Sequence, residues 1–200
     1  MSATETETGW EVFYRANQGR AASPLLRRAL GTELIPHGNG HAIDLGCGAG
    51  IETSLLLNAR WHVLAIDKEP KAIRRVEALA AKSSGGNLLT LVSRFEDLDE
   101  LPPAALIHAG LSLPFCAPAS FPSLWTSIVA ALEPGGGVFV GHLFGNRHDW
   151  AEHTEMSFHD KEDVEALCKD LTVELLREAE GDGGHVPHHW HRFDLIVRKP

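Results

Sequence analysis

HAIDLGCGAGIETSLLL, residues 41–57, sets a short apolar strand, a glycine-rich turn and the start of a helix in one continuous run. Ala42, Ile43 and Leu45 read as a buried strand. Gly46, Cys47, Gly48, Ala49 and Gly50 form a turn almost without side chains. Ile51, Leu55, Leu56 and Leu57 supply the apolar face of the helix that follows. Glycines at this density admit positive φ and let a ligand approach the backbone closely. A turn of this kind at the start of a helix is a usual place for a nucleotide-like ligand.

The glycine spacing narrows the ligand. A dinucleotide fingerprint is G-x-G-x-x-G, which would place its third glycine at Ile51. Here the glycines stand at 46, 48 and 50. The Gly-Lys-Ser/Thr of a phosphate loop is absent. Asp44 lies inside the strand, where a carboxylate repels a pyrophosphate and suits an ammonium group. Asp67 ends the next strand, WHVLAID, where a carboxylate accepts hydrogen bonds from a ribose diol. Together these residues point to a nucleoside bearing a positive, amine-carrying arm.

Outward from this turn, strand and helix alternate. Helices are expected at residues 10–17, from a Ser23 cap with Pro24 at the first position to Leu34, and at 51–59, 70–82, 118–132 and 160–168. Strands are expected at 41–46, 61–67, 87–92, 104–109, 138–142, 171–178 and 193–198. Asp160 and Asp163 resemble a capping box. Alternation implies parallel strands joined by right-handed crossovers. The last two strands are joined through GDGG and are expected to form an antiparallel hairpin. The expected fold is therefore α/β: one Rossmann-like, doubly wound, seven-stranded sheet, mostly parallel, with helices on both faces. Residues 1–9 read as a disordered tail and 10–200 as one domain, with 10–35 as a helical cover.

Composition bounds the partners. The chain has 200 residues, 44% apolar and 22% charged, with a formal net charge of −9. That charge argues against nucleic acid, whose binding needs clustered Lys and Arg. No apolar run approaches the ~20 residues of a membrane span. The opening MSATETETGW lacks the pattern of a secretory signal. Cys47, Cys116 and Cys168 are odd in number and widely spaced, as in a reducing compartment. A cytoplasmic protein, monomer or homodimer, is the expectation.

DLGCGAG, with AIDKEP at the end of the next strand, resembles the class I S-adenosylmethionine-dependent methyltransferases. VSRFEDLDEL, ALIHAGLSLPFC, LEPGGGVFVG and the terminal HHWHRFDLIVRKP follow in the family's order. The last resembles small bacterial members of the tellurite-resistance type. The likeness covers about residues 10–200. It implies S-adenosyl-L-methionine as cofactor and S-adenosyl-L-homocysteine as product. It further implies that Asp44, through solvent or directly, and the backbone at Gly46 and Cys47 hold the methionine part, with Gly48 and Gly50 giving close approach. Asp67 would take the ribose hydroxyls, with Lys68 beside the adenine. Phe95 and Glu96 would meet the adenine edge, and Ala109 and Gly110 the donor's amino end. Arg94 departs from the family, which often has an acid there.

In-line transfer from a sulfonium depends mainly on alignment, and a base is needed only for a protic acceptor. Sequence therefore leaves the catalytic group open among His142, Tyr14 and His189. Trp10, Tyr14 and Arg15 lie in a segment placed to lid the site. Phe115, His142, Arg147, His188 and His191 are further candidates to contact a small-molecule substrate. His185, His188, His189 and His191 cluster near the C-terminus. They lack companion Cys or carboxylates at ligand spacing, so no metal is expected. The rival readings are a nicotinamide-dependent dehydrogenase and a donor-binding protein without transfer.

Overall fold

The structure is a computed structural model that describes residues 19–35, 38–81, 85–183 and 188–200. The helix expected at 10–17, with Trp10, Tyr14 and Arg15, and the tail at 1–9 lie outside the described residues. Helix α1, Pro24–Leu30, starts where the sequence says: the Leu26 amide donates to the Ser23 hydroxyl and Pro24 opens the helix. It ends at Gly31 instead of Leu34. Then come β1 (His41–Leu45), α2 (Ile51–Asn58), β2 (His62–Asp67), α3 (Pro70–Ala80), β3 (Leu88–Val92) and β4 (Leu106–Ala109). Helix α4 (Phe121–Ala131), β5 (Val138–Gly145), β6 (Phe158–His159), α5 (Lys161–Leu167), β7 (Thr172–Gly183) and β8 (His188–Arg198) complete the order.

The sheet runs β3-β2-β1-β4-β5-β8-β7, with β6 paired to β5. It has eight strands, one more than expected, because two-residue β6 extends the end of β5 in parallel. β1 to β5 are parallel, and β8 inserts antiparallel between β5 and β7. The hairpin is longer than sequence suggested. β7 continues through the glycines to Gly183, and β8 begins at His188 instead of Phe193. β5 runs to Gly145, three residues past the end expected for the strand at 138–142.

Period-two alternation splits the core into two layers. Ile43, Ile107, Phe139 and Leu143 face α4 through Phe121, Leu124 and Ile128. Ala42, Leu106, Val138 and Ile196 face α1 and α2 through Leu26, Ala29, Leu56 and Leu57. The crossover from β3 to β4 carries only a 3-10 turn, Phe95–Asp97, where a helix would otherwise cover the sheet. Leu89 on edge strand β3 is consequently 71% exposed.

Helix α5 opens with a capping box: the Asp163 amide donates to Asp160 at 2.8 Å and the Asp160 amide to Asp163 at 3.1 Å. Asp160→Ala should cost about 1 kcal/mol. Phe139→Ala, at a fully buried position, should cost about 3–5 kcal/mol. Urea denaturation midpoints of the two variants check both.

Candidate functional site

The turn after β1 is built by backbone bonds to the end of β2. The Gly46 and Cys47 amides donate to the Ile66 carbonyl at 2.8 and 3.1 Å. The Gly48 amide donates to Asp67 Oδ2 at 2.9 Å, and the Glu69 amide to Oδ1 at 2.9 Å. Gly46 has φ 71° and passes so close to Ser112 that a Cβ there would lie 2.3 Å from the serine's Cβ. Ser112 holds this approach by donating to the Leu45 carbonyl at 2.6 Å. Gly50 caps α2, so Gly46, Cys47, Gly48, Gly50 and Asp67 converge. Burial pushes the Asp67 carboxyl up, while its two amide donors pull the other way. Burial beside Asp44 and Asp67 lifts the Cys47 thiol far above its ordinary range. That thiol is no nucleophile at neutral pH.

Two features anchor the turn from behind. Glu52, in the first turn of α2, takes a bidentate ion pair from Arg20 at 2.7 and 2.9 Å and the Ser23 amide at 3.0 Å. A carboxylate there also suits the positive end of the helix dipole. This clasp joins the segment before α1 to the glycine turn.

Beyond β2 and β3 lies a cavity of about 400 Å³, lined by Lys68, Arg94, Glu96, Phe115, Trp150 and Met156 among others. Phe95 sits in the same 3-10 turn as Glu96. Burial alone would raise Glu96, but the Ala117 amide at 2.9 Å and Arg94 at 3.3 Å hold its carboxyl below the usual range. Phe115 meets Trp150 at a centroid distance of 6.5 Å.

A row of buried polar side chains crosses the sheet on the α1–α2 face. Asp44, 1% exposed, accepts from Thr53 Oγ1 at 2.5 Å and faces His108 Nδ1 at 2.8 Å. Asp44 is thus turned inward, with both oxygens engaged by protein. His142 follows on β5, its Nε2 3.6 Å from Asp194 Oδ1. Asp194, also 1% exposed, accepts from Arg177 and from Arg192. Ala109 and Gly110 end β4 beside this row, where a Cβ on Gly110 would lie 2.8 Å from His108 Cε1. Arg192, Trp190, Leu111, Glu180 and Asp182 line a second recess of about 420 Å³.

The other histidine and arginine candidates are tied up elsewhere. Arg147, a candidate to contact the substrate, bonds Glu178 at 2.7 Å and Glu180 at 2.9 Å. His191 is fully buried: Nδ1 accepts the Arg147 amide and Nε2 meets Glu178. It braces the hairpin. His189 is clamped by Glu180 and Asp182, each at 2.9 Å, and those bonds raise its pKa. Both ring nitrogens of His189 are thus engaged by carboxylates of β7. The side chain of His188 lies outside the described residues. Sequence reading missed His108, Ser112, Trp150, Asp194 and the Arg20–Glu52 clasp. For His108 a signal exists: it is the one polar residue in the strand Leu106–Ala109.

Burial drives the His142 pKa down to about 4, against the attraction of Asp194. The ordinary value is about 6.5. The unfolded chain therefore binds the extra proton first, and stability present above about pH 6.5 falls as pH drops towards 4. This group contributes up to about 3 kcal/mol to that fall. His142→Asn should show a shallower loss between pH 7 and pH 4.5, read from urea midpoints.

Comparison with known proteins accords with this geometry. Residues 42–136 match the family model described as a methyltransferase domain. No match was found among curated proteins. TehB from Haemophilus influenzae superposes with a TM-score of 0.78 at 14% identity, over 96% of this chain and 67% of that one. An S-adenosylmethionine-dependent methyltransferase from Methanosarcina mazei gives 0.67 at 17% identity, over 90% and 99%. The N-methyltransferase NodS from Bradyrhizobium japonicum, in complex with S-adenosyl-L-homocysteine, gives 0.64 at 17% identity, over 95% and 89%. At such identities the structures speak to the fold, and the family match speaks to the glycine turn and the strands around it. Residues 42–136 thus match a methyltransferase domain, and the chain shares the fold of S-adenosylmethionine-dependent methyltransferases.

Proposed function

We propose that this chain transfers the methyl group of S-adenosylmethionine to a small-molecule acceptor, as a cytoplasmic monomer or homodimer. The carrying observation is Asp67. It is a buried carboxylate at the end of β2, bonded by the Gly48 amide on one oxygen and by Glu69 on the other. Each carboxylate oxygen has a second lone pair, so acceptor capacity remains for a ribose diol. The donor set fits the cofactor. The described turn offers backbone amides and a carboxylate but no lysine or arginine for a diphosphate. When bound, the cofactor supplies an electrophilic methyl group and its own leaving group.

Within this reading, Gly46, Cys47, Gly48 and Gly50 give the close backbone approach. Lys68, Phe95 and Glu96 flank the adenine beside the cavity under Trp150. Ala109 and Gly110 offer carbonyls to the amino end. Asp44 acts at one remove, by fixing Thr53 and His108. A recess of about 420 Å³ beside Leu111 and Trp190 suits a small acceptor. Such pockets typically span roughly 300–1,000 Å³. Phe115 lines the other cavity, and His142 stands on β5 within the polar row.

The test is calorimetric titration with S-adenosylmethionine, S-adenosylhomocysteine and NAD. Micromolar binding of the two adenosyl compounds and none of NAD is expected. Asp67→Ala should weaken both at least about tenfold, since bonds to a charged group contribute about 1.5–3 kcal/mol each. NAD binding alone, or unchanged affinity in Asp67→Ala, would overturn the assignment.

A further inference from the structure

The Asp44–His108 pair does more than tie two strands. An ionised carboxylate only accepts hydrogen bonds. Asp44 takes one from Thr53 on Oδ2, and its Oδ1 lies 2.8 Å from His108 Nδ1. The Nδ1 nitrogen therefore carries the proton, which leaves Nε2 with its lone pair. That Nε2 is buried and has no hydrogen-bond partner among the described residues. Leaving a buried polar atom unsatisfied costs about 1–3 kcal/mol. Such atoms in native structures call for an explanation. Its position gives one. The Cε1–Nε2 edge of the ring lies under Gly110, where a Cβ would sit 2.8 Å from Cε1 and 3.2 Å from Nε2. Gly110 closes β4 at the carboxyl edge, beside the turn assigned to the donor.

We propose that His108, oriented by Asp44, takes the proton of the methyl acceptor, and that the acceptor is a protic nucleophile: a hydroxyl, a thiol or an amine. This rests on the methyl-transfer reading above. The acceptor's bond to hydrogen breaks and the proton passes to Nε2. The acceptor atom bonds the methyl carbon as the carbon–sulfur bond breaks, its electron pair staying on sulfur. The imidazolium so formed faces the Asp44 carboxylate, which offsets its charge. The arrangement is that of a base held by a carboxylate behind it.

Every charged or titratable neighbour in the row is accounted for. Asp44 of β1 and Thr53 of α2 hold the ring. His142 of β5 stands on the same face, with Asp194 and Arg192 of β8 and Arg177 of β7 beyond it. Asp194 is occupied by the two arginines. His142 also has a buried, unpartnered nitrogen, Nδ1, but lacks a carboxylate within bonding distance. It lines the row as a neutral ring.

The test needs no known acceptor. Long-range 1H–15N spectra of the full chain would follow the imidazoles against pH, in complex with S-adenosylhomocysteine and then with S-adenosylmethionine. His108→Asn assigns the resonance. The positive sulfur of the second complex should depress the His108 pKa by at least about one unit, a tenfold change in proton affinity. Equal titration in the two complexes would overturn the proposal. Failure of both compounds to bind would overturn the methyl-transfer reading instead. A second readout uses catechol, 2-mercaptoethanol and aniline as protic probes with methyl-labelled donor. For a probe that takes label, His108→Asn should cut the rate at least about 100-fold and abolish its rise with pH. An unchanged pH profile and a rate within threefold would count against the base.

Discussion

Burying the Asp44 carboxylate is the constraint on which the centre of this molecule depends. A charge with 1% exposure survives only if its oxygens are bonded. Its two partners come from different directions: Thr53 from the helix after the glycine turn, and His108 from the neighbouring strand. The carboxylate thus fixes the helix start against β1 and sets β4 in the same row. The turn between them is then stretched over a known span. Ser112 and the Ile66 carbonyl close it from the other side. A polar group that a core would normally exclude becomes the pin of the ligand edge.

Electrostatics at the far side of the sheet follow a different logic. Arg147, Glu178, Glu180, His189 and Asp182 form a half-exposed lattice, where individual pairs contribute little stability. Their effect is positional. Arg147 binds the loop after β5 to the hairpin, and Asp149 accepts the His189 amide at 2.8 Å. Together they set Trp150 at the mouth of the cavity that also holds Lys68 and Glu96.

The legible part of the sequence was the local part. The strand, turn and helix of residues 41–57 are read from neighbours within a few positions, and so is Asp67 at the end of the next strand. The Asp160–Asp163 box spans three residues and was readable for the same reason. What escaped was decided by distant partners. His108 and Asp44 are 64 residues apart, so nothing near ALIHAG announces the carboxylate beside it. Arg147 looks like an anion holder until its carboxylates arrive 31 and 33 residues later. Residues 143–145 fall beyond the expected strand because Gly145 and Asn146 break the pattern. Pairing with β6 and β8 keeps them extended. The β3–β4 crossover carries no α-helix, and its Pro102 and Pro103 give a physical reason.

The insertion of β8 between β5 and β7 has a consequence for how the chain comes into being. Polypeptides emerge from synthesis N-terminus first. β5, one of the most apolar strands, therefore waits with a bare edge while more than forty residues follow it. During that interval its unpaired amides and carbonyls are open to any passing strand. His142 and the arginine that will meet Asp194 have no carboxylate between them. β8 closes the edge, brings the missing charge and completes the polar row in one event. A nascent chain would thus acquire its ligand edge abruptly once residues 188–198 have emerged, with the interval before it as the window in which a chaperone matters.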